Sequence, residues 1–359
     1  MKDELLSVPP YGLTNTQKIE LLLPELIELT DHHVAHCEEY RRVFSHVDTS
    51  QINKLADIPF LTVPLFKQRQ LKSIADAEIF KVLQSSGTTG QLPSRIYLDA
   101  NAAKLQSKVL VKIMQEWLGK GRRHMLIWDH PNVIKDRSSY SARGAGIQGL
   151  SFLGRDHTFV LNEDMSLNLE AFTHFIKHYS DKPVLMFGFT FMLWQYGLKA
   201  LQALGIKVQL QDAVLLHSGG WKKLVNQAVS SEHFNATAQA QFGKVRVHNF
   251  YGMVEQVGSI FVACEKGHFH CPNTADILIR RPGTWQLAAI GEAGVIQVVS
   301  ALARSYPGHS LLTEDKGILL GEDDCPCGRK GRYFRVLGRI AKVETRGCSD
   351  TFEKTGRGL

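Results

Sequence analysis

Two groups of residues in this chain could do chemistry. The first is Gln84-Ser85-Ser86-Gly87-Thr88-Thr89-Gly90-Gln91-Leu92-Pro93-Ser94, which follows the apolar run Ile79-Phe80-Lys81-Val82-Leu83. Glycine turns tightly and lets backbone approach a ligand, and serine and threonine add hydroxyl donors. Such a loop makes a nest of N–H groups for phosphate oxygens. No Gly-Lys-Ser/Thr closes it, so it is not the Walker form. Taken alone, the run would also suit a flexible surface loop. The second group is Cys264-Glu265-Lys266-Gly267-His268-Phe269-His270-Cys271 together with Cys325-Pro326-Cys327-Gly328. Thiolates and an imidazole in two knuckles suit tetrahedral zinc. Cys264, His270, Cys325 and Cys327 are the expected ligands, with Cys271 or His268 as alternates. Four protein ligands leave no open position, so the ion would be structural, clamping the segment after Glu255 onto the Cys-Pro-Cys-Gly turn. Reduced, unbound thiols are the alternative reading. Asp31-His32-His33 and His36 have no supporting cysteine or Glu-x-x-His pattern and read as solvated or capping histidines.

These groups need elements to position them. Residues Thr16 to Phe44 carry apolar side chains at helical spacing. Ile58 to Phe66 is punctuated by prolines and reads as an extended arm packed on the core. Arg95 to Leu98 alternates as a strand, and Asp99 then caps a helix from Ala100 to Leu118 that Gly119 ends. Buried strands are expected at His124–Trp128, Pro183–Gly188, Ala213–His217 and Val245–Phe250, separated by a loop and helix around Tyr140–Gly149 and by a helix over Phe189–Leu204. Strands alternating with helices argue for an α/β sheet. Ligands of such sheets collect at the carboxyl ends of the strands, where Ser218-Gly219-Gly220 and Tyr251-Gly252 would meet. From Gly258 onward the chain is β-rich, with strands at Ser259–Ala263, Ile277–Arg280, Val295–Ser300 and Arg332–Leu337.

The 359 residues suffice for one large or two ordinary domains, and 44% hydrophobic with 21% charged content is that of a soluble globular protein. No apolar run is long enough to cross a bilayer, and the N-terminus lacks the apolar core of a signal peptide, so a cytoplasmic location is expected. The formal charge of +7 suits anionic ligands or an acidic carrier protein. Lys and Arg are scattered without an interleaved aromatic stripe, which argues against nucleic acid. Six cysteines in a chain of this size do not form a disulfide framework. Cys37, in the first helix, reads as packing.

Several segments resemble the adenylate-forming acyl ligases, the ANL superfamily. Ser85-Ser86-Gly87-Thr88-Thr89-Gly90 resembles its phosphate loop, and Asn249-Phe250-Tyr251-Gly252-Met253-Val254-Glu255 its Asn-x-Tyr-Gly-x-Thr-Glu segment. Gly291-Glu292-Ala293-Gly294 resembles its Gly-Glu-x-Gly turn, Thr313-Glu314-Asp315 its ribose-binding aspartate, and Gly338-Arg339 with Arg346-Gly347 its junction with a mobile C-terminal domain. The Cys-Pro-Cys-Gly turn is similar to that of phenylacetate-CoA-ligase-like members. Tyr-Gly-Met-Val-Glu-Gln and Arg346-Gly347-Cys348-Ser349-Asp350 bring the chain closer to acyl-protein synthetases of the LuxE type.

The resemblance implies an N-terminal adenylate-forming domain with mixed α/β sheets flanked by helices, plus a smaller β-rich portion. It divides the chain into an arm (1–66), the core with its zinc knuckle (67–337) and a short tail (338–359). It implies activation of a carboxylic, fatty or aryl, acid with ATP. The glycine-rich loop would hold the β- and γ-phosphates, and Glu255 would bind Mg²⁺, a hard ion that prefers carboxylate oxygen. Asp315 would take the ribose hydroxyls, Ser218-Gly219-Gly220 and Tyr251 would flank the adenine, and Arg339 adds positive charge. Cys348 would receive the acyl group as a thioester and pass it to an acyl reductase in a hetero-oligomer, with acyl carrier protein a further partner. Phe187–Phe191 and Arg143–Leu150 would line the acid pocket. Ser94 stands where the superfamily has lysine, Val254 where it has threonine, and Ile340-Ala341 at its hinge. No room is left before Leu359 for the domain that carries the catalytic lysine, so adenylation would manage without it or borrow a cation from Lys222, Lys223 or a partner. The rival readings are an acid–CoA or acid–carrier ligase and a non-catalytic scaffold for a reductase.

Overall fold

The computed structural model describes residues 3–85, 93–134, 142–221 and 228–340. Ser86, Gly87, Thr88, Thr89, Gly90, Lys222, Lys223 and Cys348 lie outside them, as does the tail from 341. The strands are β1 (Leu61–Thr62), β2 (Lys81–Gln84), β3 (Arg95–Leu98), β4 (Arg123–Ile127), β5 (Gly154–Phe159), β6 (Pro183–Phe189) and β7 (Leu210–Ser218). They continue with β8 (Gly243–Gly252), β9 (Ile260–Ala263), β10 (Phe269–His270), β11 (Ala275–Arg280), β12 (Ala293–Ser300), β13 (Ser310–Glu322) and β14 (Arg332–Arg339).

One mixed sheet of 12 strands runs in the order β11-β12-β13-β14-β10-β9-β8-β7-β6-β4-β5, with β1 added beside β13. From β5 to β8 every pairing is parallel. These strands are apolar on both faces, as helix-covered parallel strands must be; Met125, Leu126, Ile127, Leu185, Met186 and Leu215 are all fully buried. From β8 onward the ladder is antiparallel. The β-rich portion is therefore continuous with the α/β sheet. Glu255 follows the last parallel strand, at the change of direction.

The arm is part of this core. The first helix covers Asn15–His36, and a second, Glu38–Phe44, starts afresh after Cys37, whose extended backbone interrupts the single helix expected. Leu22 and Leu26 pack with Leu278, Val299 and Ala301 beneath the antiparallel half. Lys18 is fully buried and pairs with Asp276 at 3.0 Å. The extended segment joins the sheet itself, with Leu61 and Thr62 paired to Leu311 and Leu312. At the other end, β14 runs through the expected 337/338 boundary to Arg339.

The helix Ala100–Leu118 has the caps its sequence announces. The Asp99 carboxylate accepts from the Ala102 N–H at 2.9 Å, and Gly119 ends it at φ 81°. The helix expected over Phe189–Leu204 is present as α-helical turns on either side of a π-helical stretch, Leu193–Leu198. Among the described residues no helix is long and apolar enough to cross a membrane.

Candidate functional site

The glycine-rich loop joins β2 and β3, an antiparallel hairpin. Its base is closed twice. The Ser85 N–H donates to the Ser94 carbonyl at 3.1 Å, and the Ser94 N–H donates to the Ser85 hydroxyl at 2.8 Å. Ser94, fully buried, sits beside the carboxyl group of Glu255. Two segments far apart in sequence are thereby adjacent.

Glu255 lies on a short 3₁₀ turn, Val254–Gln256, and is 5% exposed. Burial raises its pKa, while the Ser94 hydroxyl and the charges of Lys67 and Arg339 pull it back. An acid held ionised in such a place needs a cation. The Ser94 hydroxyl faces that carboxylate and has no other partner among the described residues, which leaves its oxygen lone pairs available beside it. Such a pair of oxygens fits a hard divalent ion such as Mg²⁺. Lys67 escapes sequence reasoning, because nothing in Phe66-Lys67-Gln68 marks it out. It brings a positive charge towards Glu255 at the site where Ser94 replaces the expected lysine.

The register of β13 against β14 sets Asp315 opposite Arg339, whose Nε lies 3.9 Å from Asp315 Oδ1. The Tyr251 hydroxyl donates to Asp315 Oδ2 at 2.8 Å. Burial raises the Asp315 carboxyl, which this hydrogen bond and Arg339 oppose. The Tyr251 ring meets Phe334 and Phe261 at centroid distances of 6.1 and 6.2 Å, so its orientation is fixed. Tyr251, Asp315 and Arg339 thus form one cluster. Glu255 belongs to the same neighbourhood, since it senses the Arg339 charge.

Ser218 ends β7, and Asn249 lies near the carboxyl end of the neighbouring parallel strand β8. The Ser218 hydroxyl donates to the Phe250 carbonyl at 2.8 Å, tying the two strand ends together, and Asn249 keeps a buried Oδ1 with no partner among the described residues. Gly219, at φ +81°, admits the Phe189 ring, which a Cβ would approach to 3.1 Å. On the other side of that ring is Gly146, on the helix Ala142–Leu150, where a Cβ would lie 3.3 Å away. Gly252 packs against Ile260, and Gly220 is exposed. Phe187 and Phe189 stand 6.1 Å apart, edge to face, on this apolar wall.

The four expected zinc ligands come together, all their ligand atoms lying within 4.8 Å of one another. Cys264 and Cys325 sulfurs are 3.9 Å apart, and Cys327 Sγ is 3.3 Å from His270 Nε2. A tetrahedral ion with Zn–S bonds of about 2.3 Å sets adjacent sulfurs about 3.8 Å apart, so the donors and their spacing fit zinc. Of the alternates, His268 approaches Cys325 at 3.4 Å from outside this set. Cys271 faces Asp276, Lys18 and Arg332, and burial pushes its thiol well up.

The family model described as acyl-protein synthetase, LuxE, matches residues 1–355. The long-chain-fatty-acid–luciferin-component ligase of Vibrio harveyi is 22% identical over 336 residues, covering 89% of this chain and 83% of its own length. An open conformation of 2-hydroxyisobutyryl-CoA ligase, in complex with 2-HIB-AMP and CoA, is similar at a TM-score of 0.70 and 16% identity, over 93% of this chain and 77% of that one. The same ligase in its postadenylation state, with R3-HIB-AMP, gives 0.68 and 15%, over 92% and 69%. The fold is that of the adenylate-forming enzymes.

Proposed function

Since this chain belongs to the LuxE acyl-protein synthetase family and is an ATP-dependent ligase, we propose that it activates a fatty acid as its adenylate, holds the acyl group on Cys348 and delivers it to an acyl reductase. In the first step a carboxylate oxygen attacks the α-phosphorus of ATP, and pyrophosphate leaves. In the second, the Cys348 thiolate attacks the acyl carbonyl and AMP leaves, so a C–S bond replaces the C–O bond of the anhydride. The observation that carries this reading is Ser94, at the base of the glycine-rich loop, lying against Glu255.

Each residue then has a task. The loop from Ser85 to Gly90 surrounds the outer phosphates with N–H donors. Glu255 and the Ser94 hydroxyl hold Mg²⁺, which supplies the positive charge that the triphosphate lacks. Asp315 accepts from the ribose hydroxyls, kept in place by Tyr251, while Arg339 complements the nucleotide's charge. Ser218, Gly219, Gly220, Asn249 and Gly252 shape the strand ends beside the adenine. Phe187 and Phe189 offer an apolar wall to the acid. The Cys264, His270, Cys325 and Cys327 cluster would hold a structural zinc, which with four protein ligands takes no part in these steps.

The test is acid-dependent exchange of labelled pyrophosphate into ATP across a panel of fatty and aryl acids, followed by acyl labelling of the protein. Wild type should exchange and carry label. Cys348→Ser should still exchange but carry none. Absence of exchange with every acid, reductase included, overturns the proposal, and label appearing only on added CoA would make the protein an acid–CoA ligase.

Tyr251→Phe tests the ribose site separately. Loss of a hydrogen bond to a charged partner costs roughly 1.5–3 kcal/mol. Nucleotide binding measured by calorimetry should therefore weaken about tenfold or more, and the Asp315 pKa should rise because a group that lowers it has gone.

A further inference from the structure

Behind Glu255 lies a set of buried polar groups that the steps above leave unused. Gln106, on the helix Ala100–Leu118, is 2% exposed, and neither its Oε1 nor its Nε2 has a hydrogen-bond partner among the described residues. The Tyr306 hydroxyl is fully buried and makes no well-formed hydrogen bond among the described residues, although the Gln106 side chain and the Val257 backbone lie close to it. Gln256 Oε1 completes the set. Each such group costs about 1–3 kcal/mol if left unsatisfied, so several in one place point to water or an ion that they hold.

Backbone geometry brings these groups close to Glu255. Gly308 has no room for a Cβ, which would lie 2.2 Å from the Tyr306 ring and 2.7 Å from the Glu255 carbonyl oxygen. Gly258 is equally crowded, with Gln106 Cα 2.9 Å from where its Cβ would stand. The Gln256 amide donates to the Gly308 carbonyl at 3.1 Å, fixing that turn to the Glu255 segment. The Tyr306 ring is steadied edge-on by Phe66 at 6.2 Å. Burial raises the Tyr306 hydroxyl, the Val257 backbone lowers it, the Glu255 charge raises it and Gln106 lowers it, as expected of groups that share one pocket.

We infer that Gln106 and Tyr306 are positioning residues for the divalent cation at Glu255, holding the water molecules that surround the ion on its protein side. This rests on the adenylation reading above. Ions such as Mg²⁺ keep several waters when bound by one carboxylate. A buried amide and a phenol, both able to donate and accept, suit such waters. Partners of metal-holding groups typically matter at about 10–100-fold in metal affinity.

The experiment compares wild type with Tyr306→Phe and Gln106→Leu, both close in volume to the original residues. Binding of ATP is measured by calorimetry with excess Mg²⁺ and again with EDTA, and Mn²⁺ occupancy in the ATP complex by electron paramagnetic resonance. The expected result is about tenfold weaker Mg²⁺–ATP binding and a matching loss of Mn²⁺ affinity, with metal-free ATP binding unchanged. Unchanged Mn²⁺ affinity, or an equal fall with and without metal together with a lower melting temperature, overturns the inference alone. Wild type with no divalent-dependent ATP binding overturns the inference and the reading beneath it.

Discussion

Glu255→Gln should reduce pyrophosphate exchange by about 10²–10³-fold, the scale on which removal of one preorganised electrostatic group is felt. Glutamine keeps the shape of the side chain and removes its charge, so packing around Val254–Gln256 should be preserved. The pH argument separates this from unfolding. Burial raises the Glu255 carboxyl in the folded protein. The unfolded chain therefore ionises more readily, and above its ordinary pKa of about 4.3 the native charge opposes folding. Neutral glutamine removes that opposition, so at pH 7 the variant should melt no lower than wild type. The difference should vanish below about pH 4. An inactive but equally stable protein assigns the charge to binding and chemistry. Exchange within a few-fold of wild type would remove Glu255 from the machinery.

Removing the proposed zinc should have the largest effect on stability. Its ligands come from the β9–β10 turn (Cys264), from β10 itself (His270) and from the connection between β13 and β14, which also carries Asp323, whose carboxylate accepts from the Asn15 and Gly331 N–H groups. Structural zinc of this type contributes about 10 kcal/mol or more of apparent free energy, comparable with the roughly 5–15 kcal/mol that holds a typical protein folded. Mass spectrometry of metals should find about one zinc per chain. A strong chelator or Cys325→Ser should collapse the melting transition of the antiparallel half. Asp315 and Arg339 are paired across β13 and β14, so nucleotide binding should be lost as well. Protein purified without zinc, with a melt that a chelator leaves unchanged, would exclude the clamp.

What could be read from the sequence followed the strength of local signals. Asp99 and Gly119 bracket a helix because a carboxylate cap and a positive-φ glycine act over a single turn. The parallel strands stand out because both their faces are apolar. The whole length of β13 was illegible: Thr313-Glu314-Asp315-Lys316-Gly317 breaks its apolar run, and only pairing with β12 and β14 makes it a strand. The two-residue strand β1 likewise exists through its partner. In the site, Glu255 and Asp315 were legible as motifs. Gln106, Tyr306 and Lys67 were not, because each acts through a neighbour brought in by long-range folding. Tyr306 and Gln106 left a trace only in the glycines at 308 and 258, whose bare backbones make the close approaches possible.

The end of β14 also sets a limit on the proposed acceptor sulfur. Residue 348 is nine residues beyond Arg339, and nine residues can span at most about 30 Å whatever course they take. A thiol on so short a tether, anchored where Asp315 faces its arginine, is present at an effective concentration in the millimolar range. Free thiols compete with it only when they are comparably abundant, which gives the chain kinetic ownership of the adenylate formed within that radius.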